Sequence, residues 1–100
     1  VREKTIEEKF KERAKKEGYL AWKFTSMGND GIPDRIVLTP GARVYFVEVK
    51  SPGKKLRPLQ LRRKSQLEKL GFKVYVLDSI EQIDSIINDI KEDEDEVHTA

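Results

Sequence analysis

The sequence predicts an α/β sandwich around one mixed sheet, with elements in the order α-β-β-β-α-β-α. Three observations carry that prediction. Apolar residues recur at helical spacing near both ends of the chain. Short apolar runs rich in β-branched and aromatic residues lie between them, and Gly or Pro punctuates the junctions.

The first helix is expected from about Thr5 to Glu17, where Ile6, Phe10 and Ala14 form a narrow apolar stripe and Gly18 is placed to end it. Tyr19 to Phe24 reads as a short aromatic strand, with Trp22 and Phe24 as core residues rather than base-stacking platforms. The stretch from Thr25 to Pro33 holds two glycines, an Asn, an Asp and a Pro, and is a loop. Ile36 to Leu38 begins a second strand, stopped by the Pro40-Gly41 turn. Val44 to Val49 is apolar on nearly every residue, the pattern of a central strand covered on both faces. A basic helix follows from about Pro58 to Leu70, with Leu59, Leu67 and Leu70 available for packing and Gly71 as its stop. Phe72 to Leu77 is a further buried strand. Ser79, with Gln82 three residues on, is expected to cap a last helix through a capping box, and Ile80, Ile83, Ile87 and Ile90 give that helix one apolar face. Residues 1–90 are thus read as one domain, and 91–100 as an acidic tail that frays or is disordered.

Composition narrows the chemistry. The 100 residues are 37% hydrophobic and 38% charged, as befits a soluble domain with a heavily charged surface. There is no run of about 18 apolar residues to span a membrane and no apolar core of a signal peptide. With no cysteine and a single histidine, His98, in the polar tail, a thiolate site, a His-based zinc site or a Ser-His-Asp triad within the domain is not expected. Any metal falls to oxygen ligands, hence Mg²⁺ or Mn²⁺. A cytoplasmic location is compatible with the absence of cysteine. The net charge of +2 conceals an asymmetry: Asp89 to Glu96 carry −5, so the rest of the chain carries +7. A polyanionic partner meets mainly that basic body.

Two acids and a lysine form the one constellation suited to catalysis. Asp34 follows a Gly-Ile-Pro loop at the head of a strand. Glu48 and Lys50, two apart near the end of the next strand, point to one face. If those strands are hairpin neighbours, Asp34 and Glu48 converge on one cation, and the backbone carbonyl of Val49 is a further oxygen donor. Lys50 then stands beside the metal to orient or deprotonate a water. These are the parts that phosphodiester cleavage needs. An E-x-K triplet alone is more commonly an exposed ion pair; here it ends an apolar strand preceded by Pro-Asp at hairpin distance. From Lys50 to Lys73 there are nine bases and one acid, Glu68. Beside a metal site, Lys54, Lys55, Arg57, Arg62, Arg63 and Lys64 form a track for DNA phosphates. Arg35 points to the face opposite Asp34 and reads as structural.

The segments Gly31-Ile-Pro-Asp-Arg-Ile-Val, Val44-Tyr-Phe-Val-Glu-Val-Lys-Ser-Pro-Gly and Arg57-Pro-Leu-Gln, in that order, resemble the VRR-NUC (virus-type replication-repair nuclease) branch of the PD-(D/E)XK nucleases. The resemblance runs from about Glu3 to Gln82, and the tail after Ile90 has no counterpart in it. It implies a restriction-endonuclease-like αβββαβ core, a phosphodiesterase using Mg²⁺ or Mn²⁺ and leaving 5′-phosphate ends, and free-standing phage members that work as homodimers in the host cell. By resemblance Asp34 and Glu48 are metal ligands, Lys50 is the catalytic lysine, and Gln60 is the motif glutamine pointing back to the E-x-K strand, with Gln66 as a spare. The family also places a glutamate on the first helix. Glu7, on the flank of the apolar stripe, is preferred as a further catalytic group and metal ligand over Glu3, which sits nearer the fraying chain end. The expected function is a structure-selective endonuclease acting on branched DNA, four-way (Holliday) junctions or flaps, in phage replication, recombination or repair. The alternative is a non-catalytic DNA-binding module on the same fold.

Overall fold

A computed structural model describes the backbone of residues 1–99 and the side chains of residues 1–95. Its elements are α1 (Glu3–Lys16), β1 (Leu20–Lys23), β2 (Arg35–Thr39), β3 (Arg43–Val49), α2 (Pro58–Lys69), β4 (Lys73–Leu77) and α3 (Gln82–Thr99). The order is the expected one. The four strands form one sheet in the order β1-β2-β3-β4, antiparallel from β1 to β3 and parallel between β3 and β4. Parallel pairing requires a crossover, and α2 supplies it.

Strand alternation divides the sheet into two unequal faces. Ala21, Val37, Tyr45, Val47, Val49 and Leu77 join Ile6, Phe10 and Ala14 of α1 and Ile83, Ile86, Ile87 and Ile90 of α3 in a single core. The other face carries Phe24, Phe46, Phe72 and Val74. Phe46 lies between Phe24 and Phe72, with ring centroids at 5.6 and 5.4 Å. Here α2 packs over β4 and leaves the β1–β2 half open. Trp22 is accordingly 56% exposed and not a core residue. The aromatic strand has Leu20 and Trp22 turned to the half of this face that α2 leaves open, which its composition did not reveal. Similarly, Leu70 is 76% exposed, Leu59 lies near the surface, and the one buried residue of α2 is Gln60.

Helix ends follow local chemistry. After α1, Gly18 adopts φ 81°, and Tyr19 N–H reaches back to the Ala14 carbonyl at 3.0 Å. A left-handed residue there lets the chain turn straight into β1. The helix begins two residues earlier than expected, with Glu3 in the first turn where a negative charge is favoured. At α3 the expected capping box is displaced. Gln82 does turn back, but its Oε1 accepts the N–H of Asp78 at 2.8 Å, and the helix starts at Gln82 itself.

The acidic segment does not fray after Ile90: α3 continues to Thr99. Its acids are used. Asp93 accepts the Tyr45 hydroxyl proton at 2.6 Å and pairs with Lys73 at 3.3 Å, Glu94 accepts from Tyr19 at 3.4 Å, and Lys91 pairs with Glu17 at 2.9 Å. Tyr75 also donates to Asp89. Burial and these acidic neighbours raise all three phenols, Tyr19 to about 12, so they remain donors. Solvating power was the basis for expecting disorder; three tyrosines presented by the sheet outweigh it. Ala100 and the side chains from residue 96 on, His98 included, lie outside the described residues.

Candidate active site

The site forms where β2 and β3 end together. The hairpin register sets Arg35 opposite Val47 and Ile36 opposite Phe46. One step further, Asp34 falls opposite Glu48. The two carboxyls share a side-chain hydrogen bond, and Asp34 Oδ2 also accepts the Val49 N–H at 2.8 Å. Glu48 is only 4% exposed. Burial first, then the shared hydrogen bond and the charge of Asp34, push its carboxyl up to about 8. Lys50 pulls it down and Glu3 pushes it further up.

The orientation of the Val49 carbonyl follows from one hydrogen bond. Lys50 N–H donates to Leu77 of β4 at 2.8 Å. In a trans peptide the carbonyl points away from that N–H, so Val49 C=O is directed to the β2 side, where Asp34 stands. Asp34, Glu48 and the Val49 carbonyl thus offer three oxygen donors to one corner, a set suited to a hard divalent cation. Among the described residues, no group of three acidic or histidine side chains gathers in one place. A third oxygen in this corner is therefore a main-chain one.

The first helix treats its two glutamates differently. Glu7 Oε1 accepts from Arg35 Nε at 2.8 Å, and Arg35 also donates to the Ala21 carbonyl at 3.2 Å. Both residues belong to the helix-covered face, away from Asp34 and Glu48. Glu3, one turn earlier, is the helix acid close enough to act on Glu48. Strand alternation held the signal. Arg35 must point opposite to Asp34, and a nearly buried guanidinium needs a carboxylate from the helix above it.

Gln60 is 7% exposed, and its Oε1 accepts the Arg57 N–H at 2.9 Å. Its oxygen secures the start of α2, and with it the segment carrying Lys54, Lys55 and Arg57. Those three and Arg62 are exposed and make no salt bridge among the described residues. Arg63 and Lys64 are engaged: Arg63 donates to the Asp30 carbonyl and to Gln66, both at 3.0 Å, and Lys64 pairs with Glu68 at 3.1 Å.

A sheet that brings a lysine and a carboxylate pair to one end, beside a segment and helix whose Lys54, Lys55, Arg57 and Arg62 make no salt bridge among the described residues, is the architecture of a small α/β nuclease. Comparison with known proteins agrees. A solved structure described as a VRR_NUC domain superposes with a TM-score of 0.82 at 36% identity, covering 86% of this chain and 94% of that one. The protein named "Putative nuclease p44" of Acyrthosiphon pisum secondary endosymbiont phage 1 is 46% identical over 79 residues, 79% of this chain and 85% of that protein. The family model described as VRR-NUC domain matches residues 2–81. The chain belongs to the VRR-NUC family of nucleases.

Proposed function

We propose that the protein is a divalent-metal-dependent endonuclease that hydrolyses phosphodiester bonds in branched DNA, four-way junctions or flaps, in the cytoplasm of a bacterial host. The observation that carries this reading is the Asp34–Glu48 pair, two carboxyls held together in a corner poor in water. Such a pair is relieved by a cation, and a site without thiolate or imidazole selects Mg²⁺ or Mn²⁺. The bound ion supplies Lewis-acid polarisation of the phosphate and acidifies water at neutral pH.

The chain's own residues do the rest. Asp34, Glu48 and the Val49 carbonyl would hold the ion, and the Val49 N–H fixes the Asp34 rotamer. Lys50, whose charge already acts on Glu48, places an ammonium beside the reacting phosphate and orients the attacking water. Glu3, rather than Glu7, is the helix glutamate that completes the site, because Glu7 is committed to Arg35. Gln60 leaves its amide nitrogen for substrate once its oxygen has fixed the turn into α2. Lys54, Lys55, Arg57 and Arg62 hold the phosphate backbone, with Lys64 available after exchange of its present partner and Arg63 meeting a phosphate from where its present bonds hold it.

A homodimer fits the same surface. Leu20 and Trp22 are 49% and 56% exposed on the open half of the sheet, beside Leu38 and Ile36 in register. Leu77 and the isoleucines of α3 are consumed within the core of the monomer. A two-fold partner over the β1–β2 face covers the remainder and sets two sites on one junction.

The test is cleavage of labelled four-way, flap, single-stranded and duplex DNA with Mg²⁺, Mn²⁺ or EDTA. Cutting of branched DNA that requires metal and is lost in Glu48→Gln is expected. Cutting in EDTA, or equal cutting of all four DNAs, would overturn the reading. Light scattering should give a mass near twice the chain mass of 11.6 kDa.

A further inference from the structure

Between the loop 25–33 and the C-terminal half of α2 lies a hollow of about 340 Å³ that the cleavage chemistry does not use. It opens on the same face as the carboxylate pair. Its wall residue Phe24 touches Phe46, and Phe46 is two residues from Glu48 on one face of β3, a step of roughly 7 Å. Phe24 N–H also donates to the Asp34 carbonyl at 2.8 Å, so the aromatic wall and the site acid are tied through the backbone.

We propose that this hollow accepts one unpaired nucleobase of the bound DNA strand. The proposal rests on the reading of the protein as a DNA-cutting enzyme and names a feature of substrate that it selects. Three properties fit a base. The size lies at the small end of ligand pockets, appropriate to a single heterocycle. The walls are apolar, with the ring of Phe24 and Ile32 contributed by the strand end and loop, and Leu67 and Leu70 by α2. The rim bears amides whose internal bonds leave complementary groups over. Gln66 Oε1 is occupied by Arg63, leaving its N–H₂ to donate; Asn29 Nδ2 is occupied by Ser26 Oγ at 3.2 Å, leaving its Oδ1 to accept. A base edge presents such an adjacent acceptor and donor. Arg63, held by the Asp30 carbonyl, stands at the mouth as a cation for the attached phosphate. A leucine-lined slot for a protein side chain would need neither the two amides nor the guanidinium.

Fully paired DNA keeps its bases stacked, so the hollow stays unused there; a flap, a junction centre or a single strand offers a base freely. The inference therefore supplies a physical basis for preferring branched DNA. It predicts that one nucleotide near the cut contributes disproportionately to binding.

The experiment uses the whole protein without metal, so that binding is read apart from cleavage. Flap DNAs carrying a single abasic site, moved one nucleotide at a time around the branch, are compared with the intact flap. At one position the abasic site is expected to weaken binding roughly tenfold, as loss of one stacked base does. With 2-aminopurine at that position, fluorescence should change on binding. The double variant Gln66→Ala/Leu70→Ala, both exposed positions, is expected to reduce the intact-to-abasic ratio to near one while the folded circular dichroism spectrum is retained. A ratio near one at every position in the wild type, or a ratio unchanged in the variant, would overturn the proposal. So would a variant whose mass falls by half, which would make the hollow a contact between copies. A protein that shows the base effect but cuts nothing keeps the pocket and loses the nuclease reading.

Discussion

Replacing Glu48 with Gln is expected to stabilise the metal-free protein, and increasingly so as pH rises. Burial, the hydrogen bond shared with Asp34 and the Asp34 charge lift this carboxyl from 4.5 to about 8. Between those values the folded state holds a proton that the unfolded chain has released. The contribution of Glu48 to stability is therefore complete below pH 4.5 and is lost as pH rises towards 8. The loss accumulates at about 1.4 kcal/mol per pH unit and reaches about 3 kcal/mol by pH 7. Gln keeps the shape and can donate an amide N–H where protonated Glu48 donates its O–H, but it never ionises.

Thermal unfolding followed by circular dichroism in EDTA, from pH 4.5 to pH 9, reads the effect directly. The two proteins should melt together at the acid end and separate steadily above it. For a domain of this size 1 kcal/mol moves the midpoint by about 4–8 °C, so a gap of roughly 8 °C or more is expected at pH 8. Millimolar Mg²⁺ or Mn²⁺ should then raise the wild type and leave the variant almost unmoved, closing the gap. A gap that is the same at every pH would refute the argument, because packing rather than ionisation would then be its source.

Four further outcomes can be measured with the same tools. Glu3→Gln should lower cleavage by tenfold or more with little change in melting, whereas Glu7→Gln should lower the melting temperature by removing the charge that faces the nearly buried Arg35, at about 1–3 kcal/mol, and spare cleavage at low temperature; the reverse pattern would return the helix role to Glu7. Lys50→Ala should reduce turnover far more than affinity, and equal losses would make it one phosphate contact among many. Gly31→Ala places a Cβ at φ +79°, 2.7 Å from Leu59 Cγ and 3.1 Å from the Leu59 backbone, so it should cost about 1–3 kcal/mol and shift the start of α2; an unchanged denaturation midpoint would show that the loop yields freely. Truncation after Ile90 should destabilise by about 1–3 kcal/mol through loss of the Tyr45–Asp93, Tyr19–Glu94 and Lys73–Asp93 contacts, and a midpoint equal to the full chain would return those acids to solvent.

What the sequence disclosed and what it concealed divide along a physical line. Period and punctuation located every element, because Ile6, Phe10 and Ala14 or Val44 to Val49 leave few alternatives for burying apolar surface. They also placed Asp34 and Glu48 in one hairpin, since a short Pro-Gly turn makes neighbours of β2 and β3. Quantities set by the third dimension were less legible. Trp22 looks like core by spacing, yet the face it joins has a helix only over β4. That Glu7 has Arg35 beneath it is not visible from its place on the flank of the apolar stripe. The acids after Ile90 look like a solvated tail until the hydroxyls of Tyr19 and Tyr45 are found within reach.

That last point reshapes the electrostatics of binding. As a linear count, the acidic end seems to oppose a basic body and so to weaken its hold on DNA. In the folded chain Asp89 and Asp93 are set against Tyr45, Lys73 and Tyr75, the other side of the sheet from Phe46 and the carboxylate pair. The molecule is 22 Å across its thinnest direction, whereas exposed charges lose sight of one another within about 10 Å at 0.1 M salt. Lys73, the last base of the run that begins at Lys50, is spent on this pairing. The consequence is a molecule whose acids hold a helix in place on one side, while Lys54, Lys55, Arg57 and Arg62 on the other make no salt bridge among the described residues. Segregation of this kind lets a chain of net charge +2 present a strongly cationic approach to its active site without the solubility and self-repulsion problems of a uniformly basic domain.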